Sequence, residues 1–520
     1  MHVPVFPIDL DKFEENIGLY IDSFRKRGLD EGKIRVVIEL NRNRKELQKR
    51  LDYKKSLKNK LSRIFKLSKD FKSGKIKLED FKKELEGVGL EYSEDIEKKI
   101  IEKIKEIDEE ISNIEKEYEK VLEEFIKTAW NFPNIIHPDV PVGDESYNKP
   151  IRYWGVPKVT DEDAFYRLVT QDGKYDWRIV EISEVKDEYI KNKELLETLI
   201  DIIKERGDYI ANINYDEVLD FEKLNRDRIV VYAKVEGEMP HHYDLVDALK
   251  LADTEKASEV AGSRFYYEIG NFALWDLALS IEGVKFLEKR GYRPMITPYL
   301  LKRDVLNGII TLDDFEDMMY KIEGDELFLI GTAEHSITAF YYDSIIEERE
   351  LPIKVVGWSP CFRREAGAHG KDTKGLFRVH QFHKVEQYIF CKPDDSEKYH
   401  EELIKNAEDF LKMLNIPFRT MLMASRDMGK RNYKQYDIEG WFPGQQKYRE
   451  LVSGSNVTDW QSRRCNIRYR TKDNKLEFVH TLNCTLTAVQ RTLLCILENG
   501  YRKKDGKVII PRAIEKYLSI

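Results

Sequence analysis

The sequence predicts an α+β chain of more than one domain, with a long antiparallel helical hairpin ahead of a larger body of mixed strands and helices. Three observations lead there. Ile100, Ile104, Ile107, Ile111, Ile114, Tyr118, Val121 and Phe125 recur at steps of four and three, which is the heptad seam of a coiled-coil helix. Cys361 to Glu386 is a basic, glycine-punctuated stretch between two hydrophobic, aromatic-rich segments, the pattern of a long strand hairpin. Asn483 to Asn499 reads as a strand turning into a helix. A chain of 520 residues also exceeds the length at which one core usually keeps growing.

The first long helix, from about Val37 to Lys69, carries Leu40, Leu47, Leu51, Leu57, Leu61 and Ile64 as a less regular apolar stripe. Asp70 to Ser93 contains Gly74, Gly87 and Gly89 and supplies a turn or a short helix between the two arms. About thirty residues per helix predicts an arm of roughly 45 Å. Against a formal net charge of −8, Asn41 to Lys75 holds fourteen Lys or Arg and three Asp or Glu, a local positive field suited to phosphates.

Proline and glycine cluster from Pro133 to Pro157, which predicts a linker over 133–157. Residues 158–238 then offer strand-like pieces (Trp177 to Ile182, Ile229 to Val235) and a helix-like one (Ile190 to Arg206), with no catalytic constellation among them. Phe265 to Lys289 has a helical spread of apolar residues, followed by Gly291 to Pro298 as a strand. The five cysteines include no CxxC pair, so neither a disulfide framework nor a structural zinc site is expected. No basic-then-apolar leader and no apolar run of membrane-spanning length is present, and the expectation is a cytoplasmic protein.

The chemistry concentrates after Cys361. Arg363 and Arg378 lie on the two arms of the expected hairpin, so pairing could aim both guanidinium forks at one polyphosphate. Glu365 could accept from a base amine and Phe382 could stack on the base. Gly367 to Lys371 lacks the spacing and the trailing Ser or Thr of a P-loop. His380 and His383 would face opposite sides of a strand and are read as structural rather than as a zinc pair.

The segment Cys361 to Glu386 resembles motif 2 of the class II aminoacyl-tRNA synthetases, and its wording Arg378-Val-His-Gln-Phe-His-Lys-Val-Glu386 resembles that of the seryl-tRNA synthetases. Arg25-Lys-Arg-Gly-Leu-Asp30 and Phe132-Pro-Asn-Ile-Ile-His-Pro-Asp-Val-Pro-Val-Gly143 are similar to the N-terminal half of that family. Phe265 to Pro298 looks like motif 1, and Asn483 to Asn499 like motif 3. The resemblance implies a class II catalytic domain over 239–520, with a mainly antiparallel sheet flanked by helices. It also implies a tRNA-binding helical arm over 1–132 and a homodimer built on motif 1. Residues 158–238 have no recognised counterpart in the family pattern and are expected to be an insertion.

The implied activity is serine–tRNA ligase, joining L-serine to tRNA(Ser) through a seryl-adenylate, with ATP and Mg2+. The alternative is a synthetase-like RNA-binding or regulatory module with altered catalysis. Carried over by motif position, the catalytic residues are Arg363, Arg378 and Arg491. ATP would be held by these three together with Arg364, Glu365, Val379, Phe382, Glu450 and Ser453, the last two also binding the metal. Serine would be read by Thr332, Glu334, Arg363, Glu386, Asn483 and Thr485. Two positions depart from the pattern: Cys484 stands where glycine or alanine is expected, and Gly454 where cysteine is frequent. Arg364 replaces a more usual serine or glutamine.

Overall fold

The computed structural model describes residues 7–9, 12–206, 213–311, 318–365, 375–502 and 505–518. It divides into two units, one of Pro7–Phe13 with Leu29–Phe132, the other of Glu14–Gly28 with Pro133 onward. Thus Glu14–Gly28, expected with the arm, groups with the body.

The arm unit is a helical hairpin of Gly32–Lys72 and Ile96–Trp130, with the short helix Leu78–Glu86 between them. Leu47, Leu51, Leu61 and Ile64 bury against Ile100, Ile107, Ile111 and Ile114. The direction is antiparallel, because Lys55, Lys58 and Lys72 meet Glu115, Asp108 and Glu97 in descending order, at 2.9, 2.5 and 2.7 Å. Stacked Phe71 and Phe81, with Tyr92 edge-on to both, close the turn. The helices run to 41 and 35 residues, longer than the apolar stripes alone predict. Lys, Arg, Glu and Leu favour helix enough to extend it beyond the last buried position.

The body is built on an eight-stranded sheet. In spatial order its strands are Lys149–Trp154, Phe418–Leu422, Lys434–Phe442, Lys447–Thr458, His480–Ala488, Gln381–Cys391, Ile353–Phe362 and Arg293–Ile296. Every neighbouring pair is antiparallel except the last, where Arg293–Ile296 runs parallel to Ile353–Phe362. The expected hairpin is present: Phe362 pairs with Gln381, and the Arg363 N–H reaches the His380 carbonyl at 2.9 Å. The helices Asn271–Glu288, Ser396–Met413 and Val489–Gly500 cover the sheet, burying Leu279, Leu403, Phe410 and Leu493 against Ile389, Leu482 and Leu486.

The stretch expected as linker contributes the outermost strand, Lys149–Trp154. Pro150 is tolerated there because an edge strand leaves one side without ladder partners, and a register shift follows it. Residues 158–238 form a small parallel sheet, Lys158–Val159 and Arg178–Glu181 on either side of Ile229–Lys234. Phe165, Trp177 and Tyr232 bury against Tyr153, Trp441 and Tyr448 of the main sheet. This segment therefore packs on the body. No helix among the described residues is long and apolar enough to cross a membrane.

Candidate active site

A cavity of about 480 Å³ lies over the central strands of the large sheet. Segments far apart in sequence meet in it: Thr332 and Glu334 from a helix start, Arg363 and Glu365 from the first hairpin arm, and Arg378, Val379, Phe382 and Glu386 from the second. Glu450, Ser453, Asn483, Thr485 and Arg491 complete the expected residues that line it. Arg364 does not line it; the side chain is exposed to solvent, and the backbone N–H of Arg364 donates to the Met318 carbonyl at 3.0 Å. Gly367 to Lys371 lie outside the described residues.

At one end, Arg378 Nε donates to Glu365 at 2.5 Å and the Arg363 guanidinium lies 5.2 Å from the Phe382 ring centre. Arg491, in the first turn of Val489–Gly500, donates to the Phe377 carbonyl and lies 4.8 Å from the Phe377 ring, with Glu450 at 3.3 Å. The Arg491 partner is thus Phe377, a residue that motif position did not single out. Three cationic forks and two aromatic faces in one pocket can bind a purine nucleotide.

Beside them the donors are all oxygen. Gln435 Nε2 donates to Asp437 at 3.0 Å and to Ser453 Oγ at 3.1 Å, and burial together with the charge of Glu450 pushes the Asp437 carboxyl well up. Two crowded carboxylates and a hydroxyl fit a hard divalent cation, which would relieve their repulsion. Asp437 was not foreseen.

At the other end, Thr332 caps the helix Ala333–Phe340 and Glu334 follows in its first turn. Both forks of Arg431 meet the two Glu334 oxygens, one at 3.0 Å, and Gln461 Nε2 donates at 2.7 Å. Burial raises Glu334, but the charge and hydrogen bonds of Arg431, with the hydrogen bond from Gln461, outweigh it and leave the pKa below the usual range. His335 is driven to about 3 by burial and stays neutral. Glu386 is pushed up by burial, opposed by Lys384 at 2.6 Å, and Thr485 Oγ1 lies 3.4 Å from it. Asn483 Nδ2 is buried with no hydrogen-bond partner among the described residues. An orphan donor in a cavity wall calls for a ligand acceptor.

Arg431, Gln461 and Lys384 escaped sequence reasoning because no periodicity marks a polar residue that only tertiary structure brings to a carboxylate. The two departures from pattern explain one another. Gly454 and Cys484 are cross-strand partners, and a Cβ at Gly454 would come 2.9 Å from the Cys484 sulfur. A Cβ there would also come 2.5 Å from Ile404 Cδ1, so glycine at 454 leaves room for the Cys484 side chain.

Behind the nucleotide end, His383 Nδ1 is 2.8 Å from Asp276, and Gln490 Nε2 donates to Asp276 at 2.5 Å and to Glu268 at 2.8 Å. His380 Nδ1 instead meets the Arg363 carbonyl at 2.9 Å, so the two histidines serve different partners. Burial, then the charge of Asp276, raises Glu268 from 4.5 to about 7. A raised carboxyl keeps in the folded state a proton that the unfolded chain has lost, so stability should fall as pH rises from about 4.5 to 7. Glu268→Gln should flatten that slope and raise Tm at pH 8, and melting curves from pH 5 to 8 with the same slope in both proteins would contradict this.

The chain is similar to known proteins over most of its length. Residues 318–500 match the family model of the tRNA synthetase class II core domain (G, H, P, S and T). The serine–tRNA ligase of Sulfolobus acidocaldarius is 43% identical over 390 residues, 75% of this chain and 73% of that one. That of Hyperthermus butylicus is 37% identical over 513 residues, 97% of this chain and 94% of the relative. The crystal structure of seryl-tRNA synthetase from Pyrococcus horikoshii complexed with ATP superposes with a TM-score of 0.77 at 35% identity, covering 99% of this chain and 98% of the other. Coverage of that extent takes in residues 158–238. With the class II core matched, the sheet shared and the likeness running nearly end to end, the chain belongs to the seryl-tRNA synthetase family.

Proposed function

We propose that this chain acts as a serine–tRNA ligase through the cavity described above, activating L-serine with ATP and passing the seryl group to tRNA(Ser). The observation that carries the reading is the meeting of Arg363, Glu334 and Arg491, from three distant segments, in one cavity. Adenylate formation requires a carboxylate to attack the α-phosphate in line while pyrophosphate leaves, and no protein nucleophile takes part. Arg363 would bridge the α-phosphate and the serine carboxylate, neutralising charge that grows in the transition state. Arg378 would leave Glu365 for the outer phosphates, freeing that carboxylate for the adenine amine. Phe382 and Arg491 would hold the two faces of the base. Glu450 and Ser453, with Asp437, would hold Mg2+, which supplies charge neutralisation on the phosphates when bound.

At the serine end, Glu334 and Glu386 offer acceptor charge to the ammonium, and Thr485 and Asn483 offer hydrogen bonds to the hydroxyl. Radiolabelled serine incubated with ATP and total tRNA tests the whole reading. Acid-insoluble label that depends on all three supports it, and its absence refutes it.

The tRNA would lie on the arm. Lys54, Lys55, Lys58 and Lys72 are paired with acids of the second helix, whereas Lys60, Arg63 and Lys66 carry no ion pair among the described residues. Changing these three to Ala should spare pyrophosphate exchange, weaken tRNA charging and reduce its salt slope by about two to three. Equal damage to exchange and charging would defeat this division of labour. A homodimer is supported by the exposed Leu274, Leu277 and Ile281 on one face of Asn271–Glu288, with Ile296 78% exposed nearby in sequence. Light scattering that gives only the 61.5 kDa mass would exclude it. The buried free thiols suit a reducing cytoplasm.

A further inference from the structure

Arg25-Lys-Arg-Gly28 and Pro133-Asn134, each part of a sequence signature, contribute no residue to the cavity wall. They meet behind it instead. Arg27 is buried, and its guanidinium donates to the Gly429 carbonyl at 3.1 Å and the Asn432 carbonyl at 2.7 Å. Asn134 donates its N–H to the Lys430 carbonyl at 2.8 Å and its amide Nδ2 to the Arg431 carbonyl at 2.9 Å. Four consecutive carbonyls, 429 to 432, are therefore held by two side chains and one backbone N–H. Ser23 Oγ closes the arrangement by donating to the Asn134 carbonyl at 2.7 Å.

The other side of the same loop faces the cavity, which Gly429, Arg431 and Asn432 line. Arg431 forks onto Glu334, and Asn432 Nδ2 donates to Gln435 at 2.7 Å. A guanidinium taken out of water for carbonyl acceptors alone is an expensive way to tie down an ordinary surface loop. It is explained if the loop must present Arg431 at a fixed position.

We infer that Arg27 and Asn134 are positioning residues for the amino-acid end of the site: they clamp the 429–432 backbone so that Arg431 holds Glu334 in the orientation that receives the substrate ammonium. This rests on the reading of Glu334 as a serine contact. The clamped loop meets the serine end directly, through Arg431 on Glu334, and the nucleotide end only through Gln435, which bridges Asn432 to Ser453, so its loss should be felt more by serine than by ATP.

The test is pyrophosphate exchange on the full-length protein with serine and ATP varied separately. Arg27→Ala and Asn134→Ala should each raise the KM for serine roughly tenfold, the scale of one lost hydrogen bond to a charged or buried group. The KM for ATP should move less than about twofold. Arg27→Lys, which can still reach one carbonyl, should recover part of the loss. Ser425→Ala serves as the control: Ser425 Oγ donates to the Lys26 carbonyl in the same turn without touching the clamped carbonyls, and its serine KM should stay native.

Serine and ATP KM values rising together in Arg27→Ala and Asn134→Ala, or an unchanged serine KM in both, would overturn the inference. If Arg27→Ala fails to fold, Arg27→Lys and Asn134→Ala decide the matter alone. Absence of serine-dependent exchange in the unaltered protein would instead refute the proposed function.

Discussion

Replacing Arg363 by alanine is expected to lower serine-dependent pyrophosphate exchange by at least about 10³-fold, the upper range for loss of one preorganised charge-stabilising group. Arg363 is the only residue assigned to both reactants, so its removal costs placement as well as charge. The fold should survive. The side chain is partly exposed, and its only side-chain hydrogen bond among those described is a 3.3 Å contact from Nε to the Gly331 carbonyl. Exchange assays beside circular-dichroism melting separate the two effects. A variant with native melting and more than about a tenth of native exchange would remove Arg363 from the chemistry.

The second large effect concerns the amino acid. Alanine would enter the pocket but leave the two groups assigned to the hydroxyl without it: the Asn483 Nδ2 that already lacks a partner among the described residues, and the Thr485 hydroxyl. Sites built to hydrogen-bond a substrate hydroxyl reject the analogue without it by about 10⁴ or more in kcat/KM. Threonine adds only a methyl, which such a pocket excludes by roughly 10- to 200-fold. Pyrophosphate exchange with each amino acid measures both ratios. Equal kcat/KM for alanine and serine would end the assignment of the serine subsite.

How much of this was legible in the sequence depended on the kind of signal. The arm was readable because a heptad seam is periodic, and all eight seam residues are buried or partly buried in the hairpin. Its helix ends were not, since charged residues with good helix propensity carry a helix past its apolar stripe. The strand hairpin and the strand-to-helix turn at Arg491 were readable from pattern and spelling together. Lys149–Trp154 was hidden by prolines that an edge strand accepts.

Residues defined by tertiary neighbours were the ones missed. Arg431 sits in a loop with no motif, yet it supplies the counter-charge to a buried Glu334. Asp437 lies on a strand where alternation alone would make it one more polar residue, and only the fold brings it to Gln435 and Glu450. Arg364, grouped with the nucleotide contacts for its place beside Arg363, has an exposed side chain outside the cavity wall. Cys484 and Gly454 looked like two anomalies along the chain and are one compensated contact across it.

The central claim is that one cavity aligns serine and ATP between the Glu334 end and the arginine-rich end. A crystal structure with a non-hydrolysable seryl-adenylate mimic tests it most directly. The account predicts the mimic in this cavity, its phosphate surrogate within hydrogen-bond reach of Arg363, its ammonium at Glu334 or Glu386 and its adenine against Phe382 and Arg491. A mimic bound elsewhere, or bound here with Arg363 turned away from it, would contradict the claim.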